Sequence, residues 1–233
     1  MTDPLPVDDA EDTPPSMART SLLRELPTTA RGQRTRSALI AAARNVFEQL
    51  GYLDARLVDI TKAAECAAGT FYTYFSSKEE IFAAVLDEVQ EDMMHPGMPH
   101  VDAEDDPAAI IEATNRAYFE AYKRNARLMF LLEQVASVDP EFRKLRQNRA
   151  NAFIRRNARS IAHLQARGLA DPDLDPMLAS TALSGMVSRL AFSYFTGVSE
   201  GVGGAVPIDE LTHTATRLWV SALRIPTAAR IIG

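Results

Sequence analysis

Three side chains able to hold a phosphate backbone lie within one short stretch of the chain, at Tyr72, Tyr74 and Lys78. Two small residues, Gly69 and Thr70, come just before them. Phenolic hydroxyls and an ammonium group can all reach phosphate oxygens, and small side chains let a helix come close to base edges. The stretch therefore predicts contact with a nucleic-acid duplex.

The charge of the chain is distributed in a way that fits this prediction. The formal net charge is −6, yet residues 31–78 carry seven basic and four acidic side chains. Residues 1–27 carry six acidic and two basic side chains, and residues 85–106 carry eight acidic side chains and no Lys or Arg. A locally basic face on an acidic protein attracts phosphate there and repels it elsewhere.

The elements that must position these residues are helices. An amphipathic repeat ends at Gly51, and two short helices are predicted at 57–64 and 68–74, with a tight turn between them. Serines at 76 and 77, each three residues before a glutamate, have the spacing of a capping box that starts a further helix. Such a pair of short helices is a helix-turn-helix unit, in which the second helix enters the major groove.

The remainder of the chain repeats an Asp-Pro pair, which is typical of a capped helix start. The pairs stand at 106–107, 139–140, 171–172 and 175–176, and they predict helices near 107–124, 126–137, 140–167, 176–196 and 208–224. No alternation typical of strands is present. The predicted fold class is all-α, with residues 1–30 as a mostly disordered acidic and Pro-containing extension, 31–78 as the helix-turn-helix domain and 79–233 as a larger helical domain.

Residues 34–82 resemble the DNA-binding domain of the TetR family of one-component repressors. The matching residues are Arg36, Ala42-Ala43, Phe47, Gly51-Tyr52, Asp59-Ile60, Ala63-Ala64 and the run 69–79. The resemblance implies base reading at Ala67, Ala68, Gly69 and Thr70. It implies phosphate contact at Tyr72, Tyr74 and Lys78, and a small core at Phe47, Ile60, Phe71 and Phe75.

Some residues of this domain leave alternatives open. Tyr72 and Tyr74 point in different directions on a helix, so one of them can be half-buried packing, and Tyr72 is the better candidate. The family often has small hydroxyl residues at the start of the second helix, and this chain has Ala55-Arg56 there instead. Asp54 is then expected to cap the helix, leaving Arg56 to reach a phosphate. The chain departs from the family pattern again at Glu65, where the turn usually has Gly, and at Ala67, where a Ser cap is usual.

The segment 28–36 is predicted to be a flexible arm before the first helix. Its arginines, Arg31, Arg34 and Arg36, suit a minor groove or phosphates. The alternative is a solvated basic tail. A second basic group lies between 140 and 167, and we expect a solvated face there rather than a second DNA surface.

The C-terminal half contains Ala182-Leu183, Met186, Arg189, Phe192, Phe195 and Gly197, and later Leu218-Trp219-Val220. In these residues it more loosely resembles the regulators related to the mycobacterial ethionamide-resistance regulator, which hold an apolar pocket. An aromatic and Met-rich group suits an apolar ligand independently of the resemblance, although it could simply fill a core. Its members are Tyr118, Phe119, Tyr122, Met129, Phe130, Phe153, Met186 and Phe192.

The last two long helices are expected to pair with those of a second copy, because small residues allow close approach. The predicted dimer interface is Ala179, Ala182, Gly185, Arg189, Thr216 and Trp219.

Other kinds of chemistry find little support in the sequence. His95 and His100, with acidic residues up to Asp106, belong more naturally to an exposed connector than to a metal site. No nucleophile with a matched base and no phosphate-binding Gly-rich loop is present, so we expect no enzyme activity, catalytic residue, metal or cofactor. The single cysteine, Cys66, and the absence of signal-peptide and membrane-spanning patterns predict a cytoplasmic protein without a membrane partner.

Together these patterns predict a homodimeric repressor that binds double-stranded operator DNA and is released by a small apolar effector. An activator or a ligand-independent DNA-binding regulator is the alternative. A helical protein that only binds small molecules is the alternative of a different class.

Overall fold

A computed structural model describes residues 27–94, 106–197 and 206–226 of the chain. These ranges contain nine helices and no strand, which confirms the all-α class. The helices are α1 (Ala30–Leu50), α2 (Leu57–Ala63), α3 (Ala68–Tyr74), α4 (Lys78–Met94), α5 (Pro107–Arg124), α6 (Ala126–Val138), α7 (Pro140–Ala166), α8 (Pro176–Phe195) and α9 (Ile208–Ala222). Within the described ranges, no helix is long and apolar enough to cross a bilayer.

Most helix boundaries follow from caps that are visible in the sequence. The carboxylates of Asp106, Asp139 and Asp175 each accept a backbone N–H from the first turn of α5, α7 and α8, and a proline follows each of them. Proline suits this position because its missing N–H would have no helical partner. Gly168, at φ 70°, follows the end of α7 in the left-handed conformation that glycine adopts without strain.

The third Asp-Pro pair along the chain, at 171–172, does not begin a helix, although this dipeptide is typical of a helix start. Asp171 is buried, and its backbone N–H donates to the carbonyl oxygen of Leu223 at 2.8 Å. Its carboxylate pairs with Arg224 at 3.2 Å. Asp171 therefore ties the loop between α7 and α8 to the end of α9, a long-range role that a local cap pattern cannot reveal.

The start of α1 also differs from the prediction. The helix begins at Ala30, and Thr29 caps it by accepting the N–H of Gly32 at 3.1 Å. Residues 30–36 are therefore the first two turns of α1 rather than a flexible arm. The greater part of the predicted acidic extension, residues 1–26, lies outside the described residues.

Helix α4 is the centre of the buried core. Every residue from Ile81 to Leu86 is buried, and so is Val89. The ring of Phe82 lies 5.0 Å from Phe47 of α1 and 5.5 Å from Phe142 of α7. This continuous core crosses the predicted domain boundary at residue 78, so α4 mechanically joins the first three helices to the rest. Beyond α4, α7 packs against α6 and α8, and α5 packs against α9.

Candidate nucleic-acid interface and regulatory core

The first turn of α3 is open to solvent. Ala67, Ala68 and Gly69 are exposed and Thr70 is half-buried. A Cβ atom added at Gly69 would meet no protein atom within 4 Å, so packing inside the protein does not require glycine there. Phe71 and Phe75 anchor the opposite side of the helix in the core. The predicted base-reading residues therefore form a small, close-approach surface that is held by a fixed helix.

The two tyrosines of α3 reverse the predicted assignment. Tyr72 is 51% exposed, although its ring rests edge-on against Phe71 at 5.5 Å. Tyr74 is the half-buried one and packs against the core. Sequence spacing shows that the two point in different directions, but only the orientation of α3 against α1 and α2 decides which of them faces solvent.

The turn before α3 carries the departures that the sequence indicates. Glu65 adopts φ 51°, in the left-handed region that a glycine would occupy more easily. Ala67 occupies the N-cap of α3, and its methyl side chain makes no capping hydrogen bond. The predicted cap at Asp54 is wrong. Arg56 is the N-cap of α2, and its backbone N–H donates to the Asp59 carboxylate at 3.1 Å.

Lys78 makes contacts within the protein that the sequence does not reveal. Its ammonium lies 4.6 Å from the centre of the Tyr52 ring. It donates to the carbonyl oxygens of Tyr52 at 2.9 Å, Ala55 at 3.2 Å and Leu53 at 3.4 Å. The first residue of α4 thus holds the loop between α1 and α2. Phosphate contact by Lys78 stays a prediction, and a phosphate would have to share or displace these bonds.

The Tyr52 hydroxyl extends this contact to a second residue of α4, donating to Glu79 at 3.2 Å. Burial of Glu79 works to raise its pKa, but hydrogen bonds from its own backbone, Ser77 and Tyr52 outweigh burial. The pKa is therefore lowered from its ordinary value. Because the folded-state value is the lower one, this stabilisation is present at neutral pH and is lost as the pH falls below about 4.5.

The predicted arginines lie at the starts of α1 and α2, and Arg36 reaches the end of α3. Arg31 and Arg34 are exposed on the first turns of α1, and Arg56 is exposed at the start of α2. Arg36 is half-buried, with its guanidinium 5.2 Å from the centre of the Phe75 ring. The residues of α1 are therefore held in fixed positions next to α3, which suits phosphate contact beside the groove better than a free tail would.

A cleft of about 290 Å³ separates the start of α1 from the end of α3. Its lining is rich in hydroxyl groups and holds one guanidinium, and it consists of Pro27, Thr28, Thr29, Gly32, Arg36, Thr73 and Tyr74. The helix N-terminus, Arg36 and these hydroxyls are all donors that phosphate oxygens accept from. The cleft is a phosphate-sized recess at the edge of the recognition helix, and the sequence analysis missed the contribution of Thr73.

The predicted ligand-binding residues divide into two groups. The rings of Tyr118, Phe119 and Tyr122 lie together, with Tyr118 about 6 Å from each of the other two. Phe195, which the prediction omitted, packs against Phe119 at 6.2 Å and Tyr122 at 6.3 Å. These four residues, Tyr118, Phe119, Tyr122 and Phe195, are called the aromatic cluster below.

The other three aromatic residues each face an arginine instead. Guanidinium groups lie 5.9, 5.0 and 5.6 Å from the ring centres of Phe130, Phe153 and Phe192. Met129 and Met186 are half-buried at the edge of the core. The structure therefore brings only part of the predicted set into ring contact, because each of these three rings packs with an arginine three residues away on its own helix.

The predicted dimer residues also divide by exposure. Ala182, Gly185 and Arg189 are exposed on α8, and Ala179 is half-buried. Thr216 and Trp219 are buried against α5, where Thr216 accepts a hydrogen bond from Asn115 at 3.2 Å. These two residues therefore belong to the protomer core, and the prediction of an interface role for them is wrong. The exposed large apolar residue on α9 is Leu218.

No group of three potential metal ligands occurs among the described residues. His95 and His100 lie outside them, so the prediction of a connector there has no counterpart in the structure.

Comparison with known proteins finds matches for both parts of the chain. Residues 39–85 match the family described as bacterial regulatory proteins, tetR family, and residues 111–224 match the C-terminal domain of transcriptional regulator EthR. The HTH-type transcriptional regulator EthR of Mycobacterium tuberculosis (strain ATCC 25618 / H37Rv) is 28% identical over 188 residues, covering 80% of this chain and 85% of EthR. YdgC of Bacillus subtilis (strain 168), an uncharacterized HTH-type transcriptional regulator, is 24% identical over 190 residues, which are 78% of this chain and 92% of YdgC.

Solved structures share the fold at lower identity. A transcriptional regulator from Rhodococcus sp. Rha1 aligns with a TM-score of 0.65 and 20% identity, over 82% of this chain and 99% of that one. A second structure is that of SmeT, the repressor of the Stenotrophomonas maltophilia multidrug efflux pump SmeDEF. It aligns with a TM-score of 0.63 and 19% identity, over 83% of this chain and 91% of SmeT.

Regulators of this kind bind DNA and act as dimers, and they are not a class of enzyme. The two family matches together span well over half of the chain, and the recognition helix, its basic surroundings and the helical second half fit both. The chain belongs to the TetR family of DNA-binding transcriptional regulators, with a C-terminal domain like that of EthR.

Proposed function

We propose that this regulator is a homodimeric repressor that a small, largely apolar ligand releases from its operator. In this proposal, residues 31–78 are the DNA-binding domain and residues 79–233 bind the ligand and form the dimer. The exposed first turn of α3 reads bases. Arginines at 31, 34, 36 and 56 and the hydroxyl groups at the end of α3 bind phosphates.

The observation that carries the proposal is a set of direct bonds between the end of α1 and the start of α6. Arg44 donates to the side-chain oxygen of Asn125 at 3.1 Å, and Arg127 donates to the carbonyl oxygen of Glu48 at 3.0 Å. Asn125 is buried. A ligand that changes the packing of α5 and α6 must therefore move α1 with them or break these bonds, and either change alters the placement of α3.

The aromatic cluster is the source of the packing change in this proposal. It joins α5 to the end of α8, and both of these helices contact α9. Its rings offer apolar and polarisable surface to a ligand. A ligand that separates Phe195 from its two partners would shift α8 relative to α5.

The dimer of the proposal uses the exposed face of α8 and the neighbouring part of α9. Leu178 of α8 is 71% exposed and Leu218 of α9 is 47% exposed, and the small residues Ala182 and Gly185 are exposed on α8. An apolar surface with small residues at its centre suits a tight helix–helix contact between two copies. Dimerisation would hold two recognition helices about one turn of DNA apart.

The experiment that tests the proposal measures the affinity of apolar ligands for the protein with and without a duplex that the protein has selected from a random pool. A ligand shifts an equilibrium only through its different affinity for the two states, and the coupling is reciprocal. We expect the selected duplex to weaken ligand binding by the same factor by which the ligand weakens duplex binding. Equal ligand affinities with and without the duplex would instead support a ligand-independent regulator.

A further inference from the structure

A second cleft lies where four helix ends meet, and its lining combines cations with apolar rings. Its volume is about 300 Å³, at the lower end of the range for small-molecule sites. The lining is Glu48 from α1, Lys123 and Arg124 from α5, Ala126, Arg127 and Phe130 from α6, and Phe195 and Thr196 from the end of α8. We call this recess the junction cleft.

Two cations of the junction cleft have no ionic partner among the described residues. Within the described ranges, no carboxylate lies within 4 Å of Lys123 or Arg127. The one acidic residue in the lining, Glu48, is already paired with Arg44 at 3.0 Å. An anion entering the cleft would therefore meet positive charge that no nearby carboxylate neutralises.

The apolar wall of the junction cleft leads into the protein interior. Phe130 and Phe195 line the cleft, and the ring of Phe195 packs on Phe119 and Tyr122, which are both buried. A hydrocarbon chain that displaces Phe195 would enter the aromatic cluster directly. The cations at the mouth and the rings behind them are arranged as an amphiphile requires, with a polar head outside and an apolar chain inside.

We propose that the junction cleft binds an amphiphile with an acyl chain and an anionic head, which Lys123 and Arg127 hold. The chain passes Phe195 into the aromatic cluster. The proposal rests on the proposed release by a ligand, and it names the chemical class of that ligand. A free carboxylate and the phosphates of an acyl thioester both supply the required head.

The same arginine links this binding to the DNA-binding helices. Arg127 holds the Glu48 carbonyl oxygen through its Nε atom at 3.0 Å. An anionic head adds a direct attraction between opposite charges, which the neutral carbonyl oxygen of Glu48 cannot offer to Arg127. An anionic head therefore competes for Arg127 and frees the last turn of α1 from α6, which is the movement that the proposed release requires.

Isothermal titration of the full chain with decanoate, decanoyl-CoA and decan-1-ol tests the site, using the wild type and the variants Lys123→Met and Arg127→Met. We expect both anionic ligands to bind the wild type and each variant to bind at least about tenfold more weakly, which is about 1.4 kcal/mol. Binding of only one anionic ligand would identify the head as carboxylate or phosphate. Lys144→Met, which removes an exposed lysine from α7, is the matched control and should bind as the wild type does.

The outcomes separate this proposal from the broader one. Arg127→Lys, which keeps the charge, should retain more affinity than Arg127→Met, and thermal melting checks that each variant is folded. Unchanged binding in both methionine variants would overturn the site. Binding of decan-1-ol as tight as that of decanoate would overturn the anionic head and leave release by an apolar ligand standing. Binding by neither anion would also overturn the site.

Discussion

Two helices of this molecule expose a glycine on an open face, and they differ in what surrounds it. Gly69 of α3 and Gly185 of α8 both have no protein atom within 4 Å of an added Cβ. In the same domain as Gly69, Arg31, Arg34 and Arg56 are exposed. On the helix of Gly185, Met177 and Leu178 are exposed apolar side chains, and the exposed Arg189 lies one turn after the glycine.

The difference teaches that small residues permit close approach without selecting a partner. The neighbouring side chains select it. Cations and hydroxyl groups in the domain of Gly69 favour phosphates, whereas the exposed apolar side chains on the helix of Gly185 lose contact with water only against another apolar surface. A stripe of small residues read from sequence alone could therefore not be assigned to DNA or to a second copy.

The largest expected effect comes from blocking the α8 face. Gly185→Arg places a charged side chain at the centre of the proposed interface, where it would be desolvated without a partner. We expect a monomer by light scattering, and a fall in duplex affinity of about 10²–10⁴-fold because two linked recognition helices no longer act together. Gly185→Ala is the control and should remain dimeric. A Gly185→Arg protein that stays dimeric when dilute would move the interface elsewhere.

Blocking the α3 face should have the next largest effect and should leave the dimer intact. Gly69→Leu fills the space through which α3 approaches base edges, so duplex affinity should fall by about 1–3 kcal/mol. Because no protein atom opposes the new side chain, thermal stability should hold or rise, and Gly69→Ala alone should stabilise the helix by up to about 1 kcal/mol. If both variants bind duplex as the wild type does, α3 does not approach the bases in this way.

Two basic residues near α3 should act in different ways. Lys78→Met removes the donor that holds three carbonyl oxygens, so the free energy of unfolding should fall by about 1–3 kcal/mol while the salt dependence of duplex binding changes little. Arg34→Met should leave stability unchanged and make the slope of log affinity against log salt shallower by about one. The reverse result would restore Lys78 as the phosphate contact.

The smallest expected effect concerns the turn that aims α3. Glu65 adopts φ 51°, so Glu65→Gly should relieve strain and raise the free energy of unfolding by about 1 kcal/mol in urea denaturation. Glu65→Ala removes the charge but keeps the strain, and it should give no such gain. Equal stabilisation by both variants would assign the effect to charge rather than to backbone conformation.

The fold was predictable where a signal is local. Asp106, Asp139 and Asp175 with their prolines mark three helix starts, and Gly51 and Gly168 mark two helix ends. Asp171-Pro172 is the same dipeptide but starts no helix. Asp171 instead binds Leu223 and Arg224, which directly follow α9 and lie more than fifty residues further along the chain.

The types of residue in the site were predictable from the sequence, but which of their side chains face solvent and which face the core was less predictable. The exposure of Tyr72 rather than Tyr74, and the burial of Trp219, depend on which face of each helix meets its neighbour. The contacts of Lys78 depend on the path of the loop after α1. These features need the tertiary packing, whereas the helix-turn-helix unit itself follows from a continuous run of residues.

Hydroxyl-radical labelling of the wild type and Gly185→Arg, with and without the selected duplex, tests most directly whether the two faces take different partners. Tyr72 reports on the α3 face, Met177 on the α8 face, and Val138, which is 71% exposed, normalises the labelling. We expect Met177 of the wild type to be protected without DNA and Tyr72 to become protected only with it. Gly185→Arg should expose Met177. Labelling of Met177 that is the same in the wild type and the variant, or that changes only when DNA is added, would contradict the account.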